Sequence, residues 1–254
     1  MKPESYVPST HIVEYAGIAR RASQVSRDLL INSFARVSVF TIRGEDIKLQ
    51  QDRDSQAMIV EYLEQHSGLP ILTEESGWVS KVPNSGELYW VVDPLDGSFN
   101  FYAGIPLFAV SIALCIDSTP IVGCVFDVLR NQVFVGGANF PLRIDDEKTF
   151  STPRSNHILA TGFPTSRENN DFELKLVGGE WTKVRMLGSA ALSLAWVAAG
   201  RLGGYSERGI RWWDVAGGLA LVESVGGLTS VVPHKTGDKW GPLNPLDVTA
   251  RLRA

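Results

Sequence analysis

The feature that most restricts the fold of this chain is an apolar segment that runs directly into two acids. Leu88–Val92 is rich in aromatic and β-branched residues, and Asp93 and Asp96 follow it. Pro94 fixes the backbone between the acids and Gly97 permits a tight turn after them, so both carboxylates can face one point. The same residues also make a good turn sequence, and this segment alone favours neither interpretation.

Burial makes a simple turn harder to accept. Acids at the end of an apolar strand are costly to bury unless they are paired or bound to a metal ion. Residues 89–101 contain neither Lys nor Arg. A hard divalent cation, which prefers oxygen ligands, would remove this cost.

A similar arrangement occurs twice more. Ile71–Thr73 leads into Glu74 and Glu75, and Asp214 follows two tryptophans at the start of a small-residue segment. Taken alone, Asp214 is better explained as a helix-capping acid, since a negative charge there interacts favourably with the helix dipole. Acids at three such positions indicate a shared metal site more strongly than any of them does separately.

Hydrophobic periodicity predicts two helices in the first half of the chain. Apolar residues recur every three or four positions from His11 to Phe34, which predicts one long amphipathic helix with Ser9 or Thr10 as its cap. A second helix is predicted around Met58–Leu63, with Gly68 as its stop signal.

Short runs of β-forming residues predict an antiparallel sheet covered by these helices. The runs are Ile71–Thr73, Leu88–Val92, Leu107–Cys115, Ile121–Val128 and Gln132–Val135. The last three are separated by brief turn sequences, as in a meander.

The second half alternates strands with helices, which is the pattern of an α/β layer. Strands are predicted at 157–160, at 184–186, near Tyr205 and at 228–232, with helices at 189–199 and 213–225. The turn-rich stretch 136–153 is the expected junction. We therefore expect a mixed α/β (α+β) fold, one domain with an N-terminal α+β subdomain (1–145) and a C-terminal α/β subdomain (146–254).

Composition excludes several classes of function. A chain of 254 residues with 44% hydrophobic and 20% charged residues is neither disordered nor fibrous. Its longest nearly apolar run, Gly104–Ile116, is 13 residues, too short to span a membrane, and Met1–Thr10 lacks a secretory signal pattern. We therefore expect a cytoplasmic protein. The net charge is −4 and no segment is rich in basic residues, so we expect it to bind neither nucleic acid nor membranes. Cys115 and Cys124 are predicted to be buried thiols.

Three segments resemble the signature motifs of the inositol monophosphatase family. They are Glu74-Glu75-Ser76, then Asp93–Ser98 followed by Asn100-Phe101, then Trp213–Gly217. The order and approximate spacing are those of the family, from about Asp52 to Val232. The resemblance implies a layered αβαβα sandwich and a magnesium-dependent, lithium-sensitive phosphatase acting on the phosphate monoester of a small polyol or sugar. It also implies two or three Mg²⁺ ions with Mn²⁺ as an alternative, inhibition by Li⁺ and Ca²⁺, and a homodimer.

The resemblance assigns metal-ligand positions to five residues. They are Glu74, Asp93, Leu95 through its main-chain carbonyl, Asp96 and Asp214. Glu74 also resembles the glutamate that holds the attacking water. Ser98 stands where the family usually has threonine and retains the hydroxyl that orients this water. Asp52 resembles an aspartate that orients water or binds a further ion.

Substrate contacts are implied for a further set of residues. They are Gly97, Ser98, Gly188, Ser189, Ala190 and Glu207. The main-chain N–H groups of Gly97 and Ser98 resemble phosphate donors, which suits a turn that leads into a helix. Glu207 resembles a glutamate that contacts substrate hydroxyls, and a carboxylate can accept hydrogen bonds from neighbouring hydroxyls.

The chain departs from the family pattern upstream, so its substrate stays open. Where the family has Thr-x-x-Asp with a glutamate four residues later, this sequence has Leu49-Gln50-Gln51-Asp52 with Gln56. The alternatives are fructose-1,6-bisphosphatase, histidinol-phosphatase and 3′-phosphoadenosine 5′-phosphate phosphatase. From a different class, a catalytically silent protein that binds sugar phosphates is the alternative, but the presence of both Glu74 and Ser98 favours the enzyme.

Overall fold

A computed structural model describes residues 9–34, 36, 39–43, 46–148, 157–162, 181–235 and 237–253. Within these residues the chain forms six α-helices. They are α1 (Ser9–Gln24), α2 (Arg27–Ser33), α3 (Gln50–Ser67), α4 (Ser98–Ala103), α5 (Ala190–Ala198) and α6 (Trp212–Ser224). None of these helices combines the length and apolar character needed to cross a membrane.

The larger of the two main sheets has eight strands. In chain order they are β3 (Ile71–Thr73), β4 (Gly77–Trp78), β5 (Leu88–Asp96), β6 (Ala109–Ile116), β7 (Thr119–Asp127), β8 (Gln132–Gly137), β9 (Phe140–Ile144) and β10 (Glu147–Lys148). Their spatial order is β10-β9-β8-β7-β6-β5-β3-β4. The predicted meander is confirmed in β6, β7 and β8, and all neighbours are antiparallel except β3 and β5, which run parallel.

The second main sheet has five strands. They are β11 (Ile158–Thr161), β12 (Lys183–Arg185), β13 (Gly204–Ile210), β14 (Leu228–Pro233) and β15 (Leu246–Arg251). Their order is β12-β11-β13-β15-β14, with β11 parallel to both of its neighbours and the remaining pairs antiparallel. The predicted alternation of strands and helices is confirmed, and β15 is a strand that the sequence pattern did not reveal. A short hairpin, β1 (Val39–Arg43) with β2 (Asp46–Leu49), completes the strands.

Two cores lie on opposite faces of the eight-stranded sheet. Trp90 and Val92 of β5 join one core with α1 and α3, while Tyr89 and Val91 of the same strand join the other with α5 and α6. The second core continues to the five-stranded sheet through side chains such as Val248. The result is a layered α/β sandwich, and β5 is buried on both faces, as its apolar run predicts.

The prediction of one long helix from His11 to Phe34 is wrong. The chain leaves the helix after Gln24 and re-enters it at Arg27, with Ser26 in a non-helical conformation (φ −93°, ψ 5°) at the start of α2. The buried Ser26 hydroxyl lies 2.8 Å from Ser55 Oγ, whose own hydroxyl lies 2.9 Å from the carbonyl of Pro94. The break thus satisfies a buried polar contact with α3, which periodicity within one segment cannot show.

The stretch expected to join the two halves is structured at its start. Residues 140–148 of the predicted junction form β9 and β10, which extend the larger sheet, and residues 149–153 lie outside the described residues. The subdomain division at residue 145 stays a prediction. Cys115 and Cys124 are both free and buried, as expected.

Helix α6 packs unusually closely against β7. A Cβ atom built on Gly123 would lie only 2.0 Å from the carbonyl oxygen of Gly217, and one built on Gly217 would lie 2.6 Å from Ser111 Oγ. Glycine therefore permits the contact between the helix backbone and the sheet.

We predict that Gly123→Ala lowers the free energy of unfolding by about 1–3 kcal/mol, the usual cost of overpacking a core. Gly17→Ala is the matched control, since its Cβ in α1 would meet only the flexible end of Arg21 at 3.6 Å. Gly17→Ala should raise the free energy of unfolding by about 0.5–1 kcal/mol, because alanine has a higher helix propensity than glycine. Urea unfolding of the two variants measures both values. Equal stabilities for Gly123→Ala and the parent would contradict the close-packing argument.

Candidate active site

The acids predicted from the sequence converge at the carboxyl ends of β3 and β5. Because these strands run parallel, with Thr73 beside Val92, Glu74 and Asp93 come next to each other at the same end of the sheet. The Glu74 backbone N–H continues the pairing by donating to the Val92 carbonyl at 3.2 Å. Asp93, Asp96 and Asp214 each bring a carboxylate oxygen to within 4.8 Å of the other two.

A β-bulge lets Asp93 and Asp96 face the same point. Residues three apart on a regular strand point to opposite faces of the sheet. Here Asp93 pairs with Ser111 and Asp96 with Ala109, so three steps on β5 match two on β6. The extra residue turns the second carboxylate back toward the first. The Leu95 N–H donates to Asp93 Oδ1 at 3.0 Å and fixes the turn.

The first turn of α5 holds the Asp96 carboxylate. The hydroxyl of Ser189 donates to Asp96, and the backbone N–H groups of Ala190 and Ala191 lie 3.3 and 3.0 Å from its two oxygens. Ser189 and Ala190, implied as pocket-lining residues, thus contact a predicted metal ligand directly. The neighbouring Gly188 has φ +68°, and a Cβ there would lie 2.8 Å from the Asn100 side chain.

Asp214 and Asp52 are placed by the same local device. Asp214 lies in the first turn of α6, where Oδ2 accepts from the Arg211 N–H at 3.0 Å. Asp52 lies in the first turn of α3, where Oδ2 accepts from the Leu49 N–H at 2.8 Å. Each acid therefore caps its helix with one oxygen and has the other available for the site. The capping interpretation of Asp214 is correct and compatible with a metal site.

Asp52 and Ser98 lie 46 positions apart in the chain and meet in the fold. Ser98 Oγ is 3.0 Å from Asp52 Oδ1 and 2.9 Å from the Leu95 carbonyl oxygen. Ser98 starts α4 directly after Gly97, whose φ of +91° suits glycine. A Cβ at Gly97 would also lie 3.0 Å from the Leu107 carbonyl oxygen, so both the turn and the close approach require this residue.

Sequence reasoning missed one charged group in the site, Lys48 on β2. Its Nζ lies 3.1 Å from Glu74 Oε1 and 2.6 Å from Glu75 Oε1. Burial lowers the pKa of the Lys48 ammonium, but attraction to Glu74 and Glu75 outweighs burial and raises the pKa above its ordinary value. The only indication in the sequence that Lys48 lies near the site was its position four residues before Asp52. The hairpin that places its side chain there was not predicted.

The site is electrostatically strained in the absence of a cation. Burial raises the pKa of Asp52 and of Asp96 to about 7. For Asp93 and Asp214, burial and the nearby carboxylates raise the pKa well above the ordinary value, and burial also raises that of Glu74. A buried cluster that offers only oxygen donors fits a hard divalent cation such as Mg²⁺.

Glu207 approaches the same region from β13. The hydroxyl of the buried Tyr205 donates to Glu207 Oε2 at 2.6 Å, and burial raises the pKa of Glu207 to about 7. A Cβ at Gly162 would lie 2.0 Å from the Glu207 carboxylate, so the glycine makes room for it.

Comparison with known proteins agrees with this geometry. The family model for the inositol monophosphatase family matches residues 12–250. The chain belongs to the inositol monophosphatase family. It is 38% identical over 198 residues to an inositol-1-monophosphatase of a Synechocystis species, an alignment covering 74% of this chain and 68% of that protein. It is 35% identical over 227 residues to the Nus factor SuhB of Escherichia coli, covering 84% and 83% respectively.

A solved structure supports the same assignment. The inositol monophosphatase of an Anabaena species matches with a TM-score of 0.77 and 28% identity, over 95% of this chain and 91% of that one. The predicted motifs of this inositol monophosphatase family member all lie within the matched residues. Family membership thus confirms the resemblance and the layered fold.

The raised pKa values predict how the stability of the metal-free protein depends on pH. Carboxylates titrating near 7 when folded and near 4 when unfolded bind more protons in the folded state between these values. The free energy of unfolding therefore falls as pH rises from about 4 to about 7. We expect a lower Tm at about pH 8 than at about pH 5 in EDTA, and a larger rise with Mg²⁺ at the higher pH.

Thermal unfolding followed by circular dichroism checks this expectation. Asp93→Asn, which removes one buried carboxylate, should show a smaller fall in Tm over the same pH interval. A metal-free Tm that is constant or rises between about pH 5 and about pH 8 would contradict the argument.

Proposed function

We propose that the protein is a magnesium-dependent phosphatase that hydrolyses the monoester of a small phosphorylated polyol or sugar. The observation that carries this proposal is the convergence of two buried aspartates, Asp93 and Asp96, with the half-buried Asp214, in a member of the inositol monophosphatase family whose Asp52 and Ser98 also pair. Four elements of the chain supply this arrangement: β5, the start of α6, the start of α3 and the start of α4.

The residues that would hold the ions are those with converging oxygens. The converging oxygens belong to Asp93, Asp96 and Asp214, and we propose that Glu74 and the Leu95 carbonyl add further ligands. Bound Mg²⁺ would supply Lewis-acid chemistry, neutralising the phosphoryl oxygens and lowering the pKa of water. The positive charge would also attract an anionic substrate to a protein with a net charge of −4.

We propose that Ser98, Asp52 and Glu74 orient the attacking water. When the Ser98 hydroxyl donates to Asp52 Oδ1, its oxygen lone pair points away from Asp52 and accepts a hydrogen bond from water. The Leu49 N–H holds Asp52 in place for this role. Glu74 then accepts the second hydrogen of the water, so that an oxygen lone pair faces the phosphorus atom.

Substrate binding is proposed for residues around this water position. The N–H groups of Gly97 and Ser98 would bind phosphate oxygens. Gly188, Ser189 and Ala190 would border the same site, because Ser189 and Ala190 bind Asp96 and a Cβ at Gly188 would lie 2.8 Å from the Asn100 side chain. Glu207 would accept hydrogen bonds from substrate hydroxyls. Tyr205 keeps its carboxylate directed by occupying one of its oxygens at 2.6 Å.

The substrate class is decided by assay. We would measure phosphate release from myo-inositol 1-phosphate, fructose 1,6-bisphosphate, histidinol phosphate and adenosine 3′,5′-bisphosphate, each with Mg²⁺, with EDTA and with added Li⁺. The proposal predicts Mg²⁺-dependent, Li⁺-sensitive release from at least one substrate. A folded protein that binds Mg²⁺ and hydrolyses none of them would favour the alternative function, a catalytically silent protein that binds sugar phosphates.

For location and assembly, the prediction remains a homodimer in the cytoplasm.

Asp93→Asn tests the metal-binding role. Loss of one negative charge without a change in shape should lower kcat by at least about a thousandfold, since the remaining carboxylates bind the ions poorly. The matched control is Asp54→Asn on the exposed side of α3, which should retain parental activity. Circular dichroism verifies that both variants fold. Activity of Asp93→Asn within tenfold of the parent would refute the assignment.

Glu207→Gln tests substrate recognition. Removing the charge while keeping the shape should raise KM for a polyol phosphate by about tenfold, because hydrogen bonds from hydroxyls to a carboxylate are stronger than those to an amide. The KM for p-nitrophenyl phosphate, which has no vicinal hydroxyls, should change little. Steady-state kinetics with both substrates gives the comparison, and equal effects on the two would argue against a hydroxyl-specific contact.

A further inference from the structure

An ammonium group lies among the carboxylates of the candidate site. Lys48 Nζ is within hydrogen-bond distance of Glu74 Oε1 and of Glu75 Oε1, at 3.1 and 2.6 Å. The Glu75 side chain is 6% exposed, and those of Lys48 and Glu74 are 29% and 24% exposed. This pair of contacts is therefore much less accessible to solvent than an ordinary surface ion pair.

Both sides of the contact are fixed by the surrounding fold. Lys48 immediately precedes Leu49, which is fully buried and whose N–H is bound by Asp52. On the other side, the Glu75 N–H donates to Gln56 Oε1 at 3.3 Å, and Gln56 donates to Ser76. The ammonium is thus held against Glu74 rather than reaching it from a freely moving side chain.

A lysine in this place affects any cation that uses Glu74. The ammonium contacts one carboxylate oxygen of Glu74, so a divalent ion bound to the same carboxylate would lie close to it, and the two positive charges would repel each other. Asp93, Asp96 and Asp214 form their converging group without Glu74. The effect of Lys48 should therefore fall mainly on the ion nearest Glu74.

We propose that Lys48 acts as a built-in cation that competes with a divalent ion at Glu74 and so weakens one metal site of this protein. The inference rests on the proposed metal-dependent function and deepens it, because it concerns which ions the site retains. Lys48 is a positioning residue here, and substrate contact is not part of its role.

Metal binding, measured without substrate, tests the proposal. Free Mn²⁺ is followed by electron paramagnetic resonance while the ion is titrated into the metal-free protein. Lys48→Met should lower the half-saturating concentration of the weakest site by at least about tenfold, whereas Lys48→Arg should keep the parental isotherm because it keeps the charge. The metal-free Tm of Lys48→Met should also fall, since Glu74 and Glu75 lose their common counter-charge, and Mn²⁺ should raise it more than in the parent.

Lys81→Met is the matched control. Lys81 also pairs with a glutamate, Glu87 at 3.5 Å, but both side chains are exposed, so its removal should leave the isotherm unchanged. If Lys48→Met fails to fold, Lys48→Gln removes the charge while retaining a polar end. An isotherm that is unchanged or shifted to higher Mn²⁺ in the charge-removing variant would overturn the proposal, as would a parent protein that binds no Mn²⁺.

The outcome is separable from that of the proposed function. If the Mn²⁺ isotherm of Lys48→Met is unchanged and the parent protein releases phosphate, the proposed role of Lys48 is wrong and the phosphatase proposal stands. If the isotherm shifts to lower Mn²⁺ but the parent hydrolyses none of the phosphate esters, the role of Lys48 is supported and the phosphatase proposal is wrong.

Discussion

Mutual repulsion among clustered, largely buried carboxylates is the interaction that the rest of this structure has to accommodate. Asp93, Asp96 and Asp214 bring oxygens to within 4.8 Å of one another, in surroundings that already disfavour a single charge. Hydrogen bonds from helix N-termini stabilise some of these negative charges, and Lys48 stabilises that of the nearby Glu74. The hydrogen bonds do not offset burial at Asp96, whose pKa stays near 7. A bound divalent ion would provide the missing stabilisation, so the acids proposed to serve function lower the stability of the metal-free protein.

The structural and the functional explanations of these acids are not alternatives. Asp214 caps α6 and Asp52 caps α3, each through Oδ2; Asp52 Oδ1 accepts from Ser98, and Asp214 also lies beside Asp93 and Asp96. Asp96 shows the reverse arrangement, in which the first turn of α5 comes to the acid rather than carrying it. A carboxylate fixed by backbone N–H groups loses little further freedom when it binds a ligand, which makes a helix end an economical place for a metal ligand.

The sequence predicted the parts of the site that depend on local pattern. Apolar strands ending in Glu74 and Asp93 could be recognised because strand burial and the following acids are adjacent in the chain. The contact of Lys48 with Glu74 could not, because it depends on a hairpin whose side-chain pattern is weak. Nor could the break at Ser26, since the apolar period continues through it and only the distant Ser55 explains it. Both features depend on contacts between residues that are distant in the sequence.

Core packing between α6 and the sheet also affects the site. Asp214 and Gly217 lie on neighbouring turns of α6, and Gly217 touches β7 so closely that a side chain at Gly123 would collide with its carbonyl oxygen. The distance from this helix to the sheet therefore affects where Asp214 stands relative to Asp93 on β5, which is separated from β7 by β6. A side chain at Gly123 would push α6, and Asp214 with it, away from the sheet. Two glycines without chemical function thus help to hold the aspartates close enough for the ion that we propose they share.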